Sequence, residues 1–401
     1  EEFIDNVYVG TIHSFALDLV QRRGNLVGLG EGLTLFENTS DRKKILKDVF
    51  LNDPEFRKIL KQEEKPEKFL NECLELIAEK KKKFISPERC EEENIFIRLY
   101  QEYNQYLLQQ NAIDFDDILF YAYKILVENP SIQDMYASLY KYICIDESQD
   151  LNYAQYELIK ALCGSKIQNV MFVGDEKQSI YGFNGSNSDL MTKNFVEDFK
   201  PTVFVLQENF RSAKKIVEYA NVLENTDSIS NYYYEGELKA YECQNEDKEA
   251  EYVVNRIVDL KNNGHKDIEN LPEYDDFAVI ARNRYALTTI EKKLNELEIP
   301  YFYKKTINGI ECESEYVKVF DLVLRVWLNE HDSVHMKELC ALIGKDETSL
   351  ENVLKDDSYA VIAEALKYMK DDDFRFEKGI KVIEKGEPLF MRKNMEEELE
   401  Y

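Results

Sequence analysis

Apolar residues along this chain fall into two rhythms. Short continuous runs that end in polar clusters read as strands, and apolar positions spaced by three or four read as helices. Tyr142-Ile-Cys-Ile145 is such a run and ends in Asp146-Glu-Ser-Gln-Asp150. Its β-branched and aromatic content predicts a parallel strand buried on both faces. Val170-Met-Phe-Val173 predicts a second strand, running into Gly174-Asp175-Glu-Lys-Gln178. Val203-Phe-Val-Leu206 predicts a third, running into Gln207-Glu-Asn209-Phe210-Arg211-Ser212. In open α/β sheets ligands bind at the carboxyl tips of strands, so these three exits are where chemistry is expected.

The flanking segments extend the pattern. Val7 to Gly10 reads as a strand entering a helix, which Thr11 or Ser14 caps. Residues 41–110 alternate charged and apolar groups at helical spacing, as in Ile95, Leu99, Tyr103 and Leu107. A helix with an acidic first turn runs from Asp116 to Val127, and others from Tyr153 to Cys163 and Asp189 to Phe199. Beyond Pro201, helices are expected over 212–222, 249–260 and 285–297. Strands are expected over 238–241, 276–281 and 301–303, the second of them cleanly buried. From Thr306 the chain turns helical again, through 316–328 and 334–342, and 393–401 reads as a frayed acidic end.

The bulk numbers change little. At 401 residues the chain is long enough for two to four domains. No apolar run reaches membrane-spanning length. Seven cysteines lie scattered without a Cys-x-x-Cys pair, which argues against a zinc site or a disulfide framework and predicts a reducing, cytoplasmic setting. The net charge of −27 means that any contact with nucleic acid must use a local groove, not global attraction. The dense basic run Lys80 to Lys83 reads as a solvated helix face.

An Asp-Glu pair after an apolar run is, taken alone, more often a cap or a solvated loop. Here its company matters. Asp146 could hold a hard cation such as Mg²⁺, and Glu147 could polarise a water for attack on phosphate. Gln178 offers an amide that reaches a γ-phosphate or simply bonds within its loop. Phe210 normally reads as core, and His13 as a helix-start histidine. Gly28-x-Gly-x-Gly32 is not a phosphate loop, because no strand feeds it and no Lys-Ser/Thr completes it.

Asp146-Glu-Ser-Gln-Asp150, Gly174-Asp-Glu-Lys-Gln-Ser-Ile-Tyr-Gly-Phe183 and Asn209-Phe-Arg-Ser212 resemble motifs II, III and IV of the UvrD/Rep family of superfamily 1 DNA helicases. Thr11-Ile-His-Ser-Phe15 resembles the family's Thr-Phe-His-Ser-Phe motif, and Asp114-Phe-Asp-Asp117 the segment leading back into its first core. The resemblance implies an α/β fold of two RecA-like P-loop NTPase cores, both incomplete here, with mostly helical insertions. It puts residues 1–15 and 111–200 in the first core, 16–110 in a helical insertion, 201–305 in the second core and 306–401 at the start of another insertion.

The resemblance also implies ATP and Mg²⁺ as cofactors, with single-stranded and duplex DNA as partners and movement 3′ to 5′. Asp146 would serve the metal and Glu147 the attacking water. Gln178 would sense the γ-phosphate, Arg211 would cross a cleft to it, and Phe210 would stack on adenine. Thr11, His13, Tyr181 and Phe183 would touch single-stranded DNA. Asn184 stands where the family usually has Arg.

The motif Gly-x-x-x-x-Gly-Lys-Ser/Thr is not found in these residues. The family places it upstream of Thr11, and motifs V and VI beyond the second insertion. The expectation is therefore an internal piece of a helicase that hydrolyses ATP poorly by itself. A non-catalytic, helicase-like scaffold remains the alternative. A nuclease or repair partner is neither supported nor excluded by these residues.

Overall fold

The computed structural model describes residues 7–90, 94–164, 169–180, 182, 185–302, 314–345 and 348–369. The chain forms two units, one of residues 1–200 with 308–401 and one of residues 201–307. The described structure is largely helical and carries small parallel sheets.

In the first unit, α1 (Ile12–Arg23) starts at Thr11, whose side chain accepts the Ser14 N–H. The strand expected over residues 7–10 is absent: these residues are exposed and join no ladder. Strand β1 (Thr34–Phe36) pairs in parallel with β2 (Ala112–Asp114). Between them stand α2 (Thr39–Asn52), α3 (Pro54–Gln62), α4 (Pro66–Lys82) and α5 (Ile95–Gln109), which enclose a core around Phe50, Leu70, Tyr100 and Tyr103. Helices α6 (Phe115–Glu128) and α7 (Pro130–Leu139) follow and pack with α1 around Leu19, Ala122 and Leu126.

Strand β3 (Tyr142–Ile145) pairs in parallel with β4 (Asn169–Phe172), and α8 (Tyr153–Cys163) lies between them in sequence. The expected strands exist, but they are not buried on both faces. Ile145, Val170 and Phe172 pack against Tyr156, Leu190 and Phe195, while Tyr142 is 75% exposed and Met171 is exposed. A parallel ladder is hidden on both sides only when layers cover both faces, and here the described helices cover one. The helix expected over 189–199 is a π turn at Leu190–Asn194 continued by α9 (Phe195–Phe199).

Among its described residues beyond 313 the same unit has four helices: α13 (Glu315–Leu328), α14 (Ser333–Leu342), α15 (Leu350–Leu354) and α16 (Ala360–Met369). They share a core around Tyr316, Val323, Leu339 and Ile362.

The second unit departs further from expectation. Among the described residues its ladder is β5 (Glu208–Asn209) beside β6 (Ile229–Ser230). Helices α10 (Lys214–Glu224), α11 (Glu246–Asn263) and α12 (Thr288–Glu296) form as the spacing predicts, and α11 and α12 bury Val254, Ile290 and Leu294 between them. The strands expected over 203–206, 238–241 and 276–281 are not formed. Leu206 is 88% and Ile280 92% exposed. Tyr301 and Phe302 are likewise unpaired, and Tyr303 lies outside the described residues. An apolar run declares a preference for a pleated, half-buried surface, but only a hydrogen-bonded neighbour makes it a strand.

Candidate nucleotide and nucleic-acid site

The exits of β3 and β4 form one hydrogen-bonded corner. Val173 donates to the Ile145 carbonyl at 2.8 Å, and both the N–H and the hydroxyl of Ser148 donate to the Val173 carbonyl at 2.9 Å. Asp146 and Glu147 therefore project, exposed, from a fixed tip. Glu147 sits at φ +50°, in the left-handed region that a non-glycine residue occupies only when its surroundings hold it there. Its N–H donates to Asp146 Oδ1 at 3.0 Å, and its Oε2 accepts from Gln149 Nε2 at 2.8 Å. Asp150 beside them has its pKa raised by burial and then by the Glu147 charge.

Across the corner, Asp175 N–H donates to Gln149 Oε1 at 3.1 Å. The Asp175 carboxylate accepts from Lys177 N–H at 3.0 Å and from Gln178 Nε2 at 2.9 Å. Gln178 is exposed beyond that bond. Glycine at position 174 leaves room for its neighbours, because a Cβ there would lie 2.5 Å from Gln149 Oε1 and 2.8 Å from both Met191 Sδ and Ser148 Oγ, and these side chains would have to shift. An exposed carboxylate pair on a fixed tip fits a hard divalent cation that keeps several waters and takes one or two carboxylates. Asp146 is the residue suited to hold it.

In the second unit, Asn209 Oδ1 accepts the N–H groups of Arg211 (3.0 Å) and Ser212 (2.8 Å). This side-chain turn presents Phe210 and Arg211 to solvent. Phe210 is 68% exposed and so is not a core residue. Arg211 belongs to the second unit and Glu147 to the first.

Thr11 is occupied as the cap of α1. His13 stacks on Phe115 with ring centroids 4.5 Å apart, and burial, then the charge of Lys82, lowers its pKa. It is thus an imidazole at neutral pH and offers a hydrogen bond more than a charge. It borders a cleft of about 1000 Å³ shared with Arg42, Asn71, Lys82 and Gln155. Tyr181, Phe183 and Asn184 lie outside the described residues.

Two arrangements were not foreseen. Lys81, expected on a solvated face, is 1% exposed and bonds Asp114 and Asp117 at 2.8 Å each. The helical phase could have found it, since Leu70, Leu74, Ile77 and Lys81 recur every three or four residues on the buried side of α4. The other is His335, with Nδ1 2.6 Å from Asp332 and Nε2 3.4 Å from Asp41. With Glu338 these side chains have metal-ligand chemistry, but Lys44 already stands between Asp41 and Glu338, at 3.3 and 2.6 Å.

Residues 1–200 match the UvrD/REP helicase N-terminal domain, and residues 204–398 match the UvrD-like helicase C-terminal domain. The chain belongs to the UvrD/Rep helicase family. Among its relatives is an ATP-dependent DNA helicase PcrA of Staphylococcus aureus, 28% identical over 350 residues that cover 83% of this chain and 45% of the relative. An ATP-dependent DNA helicase Rep of Buchnera aphidicola is 28% identical over 343 residues, covering 82% of this chain and 48% of the relative. A PcrA of Staphylococcus epidermidis is 27% identical over 350 residues. The chain thus spans about half the length of the curated helicases it matches.

Proposed function

We propose that the protein containing this chain is an ATP-driven motor that moves on single-stranded DNA and unwinds duplex DNA. The observation that carries the reading is the pair Asp146 and Glu147 on a parallel-strand tip, bonded through its neighbours to the Gln178 loop of the next strand. Family membership supports the same chemistry.

Phosphoryl transfer demands positioning and charge stabilisation more than covalent chemistry. Glu147 orients the attacking water and takes its proton. Gln178 contacts the γ-phosphate or that water. Arg211 neutralises charge on the transferred group, and the open ring of Phe210 stacks on adenine. Mg²⁺ held at Asp146 would supply charge neutralisation on the phosphate oxygens. Thr11, His13, Tyr181 and Phe183 grip the single strand, the aromatic residues by base stacking. Two RecA-like cores, residues 1–15 with 111–200 and residues 201–305, would carry these groups, with helical insertions at 16–110 and 306–401. We further assign movement 3′ to 5′, a role in repair, replication or recombination, and a cytoplasmic setting. Among the described residues no helix is long and apolar enough to cross a membrane.

The test is ATP hydrolysis by the complete protein with and without single-stranded DNA. Glu147→Gln is expected to lower turnover by at least about a hundredfold while nucleotide still binds. Undiminished turnover would remove Glu147 as the base. Absence of DNA-stimulated hydrolysis in the wild type would leave a helicase-like scaffold. Unwinding of duplexes with 3′ but not 5′ tails checks polarity.

A further inference from the structure

Glu147 and Gln178 come from different strand exits, yet an unbroken chain of hydrogen bonds joins them. Glu147 Oε2 accepts from Gln149 Nε2, Gln149 Oε1 accepts from the Asp175 N–H, and Asp175 Oδ2 accepts from Gln178 Nε2. We propose that Gln149 is a positioning residue that locks the hydrolytic carboxylate to the γ-phosphate-sensing loop, so that the two move as one piece. The proposal rests on the motor reading above.

Three features make Gln149 more than a satisfied amide. It is 2% exposed, while both groups it connects are exposed. A buried amide with no freedom to turn fixes what it holds, because an unmade bond there leaves a polar group without water. Its backbone is held as well: the Gln149 carbonyl accepts from Ser179 Oγ at 3.2 Å, one residue past Gln178. The loop is therefore attached to Gln149 by main chain and side chain together. Finally, the glycine at position 174 leaves room for Oε1 where it lies, 2.5 Å from where a Cβ of residue 174 would stand.

The strand exits have a reason to be coupled. Glu147 holds a left-handed backbone that local sequence alone does not favour. The carboxylate of such a residue needs an external guide, and an error of about 1 Å in a reacting group lowers a rate about a hundredfold. Gln149 supplies that guide from the loop that reads the phosphate. A loop displaced by an empty site or by released DNA would then carry the Glu147 carboxylate out of line and stop idle hydrolysis.

The experiment measures kcat and KM for ATP in the complete protein, with saturating and without single-stranded DNA. Gln149→Met keeps the volume and removes both bonds. Asp175→Ala cuts the same chain on its Gln178 side. Each is expected to lower DNA-stimulated kcat about ten- to a hundredfold, with KM for ATP within about threefold of wild type. In the double variant the losses should not multiply, because a chain broken once is broken. A fall no deeper than that of the worse single, within about threefold, supports the relay. Multiplied losses, or a Gln149→Met protein with wild-type kcat and DNA stimulation, overturn it.

Thermal melting checks folding. If Gln149→Met melts early, Gln149→Glu decides. It can still accept from the Asp175 N–H but sets a carboxylate against Glu147, so a normal kcat overturns the proposal and a lowered kcat at unchanged KM supports it. Failure of the motor reading looks different: Glu147→Gln then turns over normally, or the wild type shows no hydrolysis at all.

Discussion

Replacing Lys81 by Met should destabilise the junction of α4 and α6 by an amount that depends on pH. Lys81 lies among Asp114, Asp117 and Tyr103, with both carboxylates at 2.8 Å and the Tyr103 hydroxyl donating to Asp114 at 3.0 Å. Asp114 and Asp117 also cap α6 reciprocally, each accepting the other's N–H at 2.9–3.0 Å. Burial, then the charge of Asp114, pushes the Asp117 carboxyl up to about 7. Asp114 is pulled the other way: burial would raise its pKa, but the Lys81 charge and hydrogen bond, the Arg42 charge and the Asp117 N–H together outweigh it and hold the value below that of an ordinary carboxylate. Below about pH 7 the favoured arrangement is thus one ammonium, one carboxylate on Asp114 and one proton on Asp117.

Methionine keeps the packing of the aliphatic stem and removes the charge, leaving Asp114 ionised without its counter-ion. Breaking a buried pair from one side typically costs about 3–5 kcal/mol. Protonation sets a ceiling. A carboxyl of ordinary pKa 3.8 takes up a proton at about 4.4 kcal/mol at pH 7, but at only about 1.6 kcal/mol at pH 5. The loss should therefore be about 3–4 kcal/mol at pH 7 and no more than about 2 at pH 5. Hydrogen exchange of the α4 and α6 amides, corrected for intrinsic rates, reads this locally without assuming that a chain of two units unfolds in one step. A loss that is the same at both pH values, or below about 1 kcal/mol at pH 7, would refute the electrostatic account.

Other perturbations test separate parts. For His335, burial draws the imidazole pKa down, but bonds to Asp332 and then Asp41 outweigh it and raise it to about 9. A raised folded value means that the stabilisation is complete below about pH 6.5 and lost as pH rises through 9. Exchange protection of α14 should fall over that window in the wild type and lose this pH dependence in His335→Gln. Asn209→Ala removes the turn that presents Phe210 and Arg211 and should raise KM for ATP in the complete protein, with about 1 kcal/mol of local stability lost. Gly174→Ala places a Cβ inside contact distance of three side-chain atoms, and hydrogen exchange of the β3 and β4 amides should show a local loss of about 1–3 kcal/mol.

What the sequence disclosed, and what it hid, follows from range. Helices α6, α8 and α10 to α14 lie close to where their spacing put them, because helical hydrogen bonds and the buried stripe are local. The Thr11 cap was readable for the same reason. Strands were readable only as apolar runs. Tyr142–Ile145 and Val170–Phe172 found each other, while Val203–Leu206 and residues 276–281 did not, though all are short apolar runs. Pairing is a property of two distant segments, and periodicity in one says nothing of the other. Lys81 was misread because a run of four lysines looks solvated until its helical phase is counted against Leu74 and Ile77.

The candidate site divides along the same line. Asp146, Glu147, Gln178 and Arg211 could be nominated because carboxylates, an amide and a guanidinium at strand exits are compatible with phosphate work and stand in motifs that resemble those of the family. Gln149 could not, since nothing in Glu-Ser-Gln-Asp tells which amide turns inward. That is decided by Ser148, whose N–H and hydroxyl both seek the Val173 carbonyl and so roll the chain until Gln149 faces the neighbouring loop. The reactive groups must stay in the open to meet substrate, so they alone can be recognised by type. The groups that aim them are buried, and their role appears only when two strand exits are brought within 3 Å of one another. In this corner it is a buried glutamine that connects the residue that would activate water to the one that would report the phosphate.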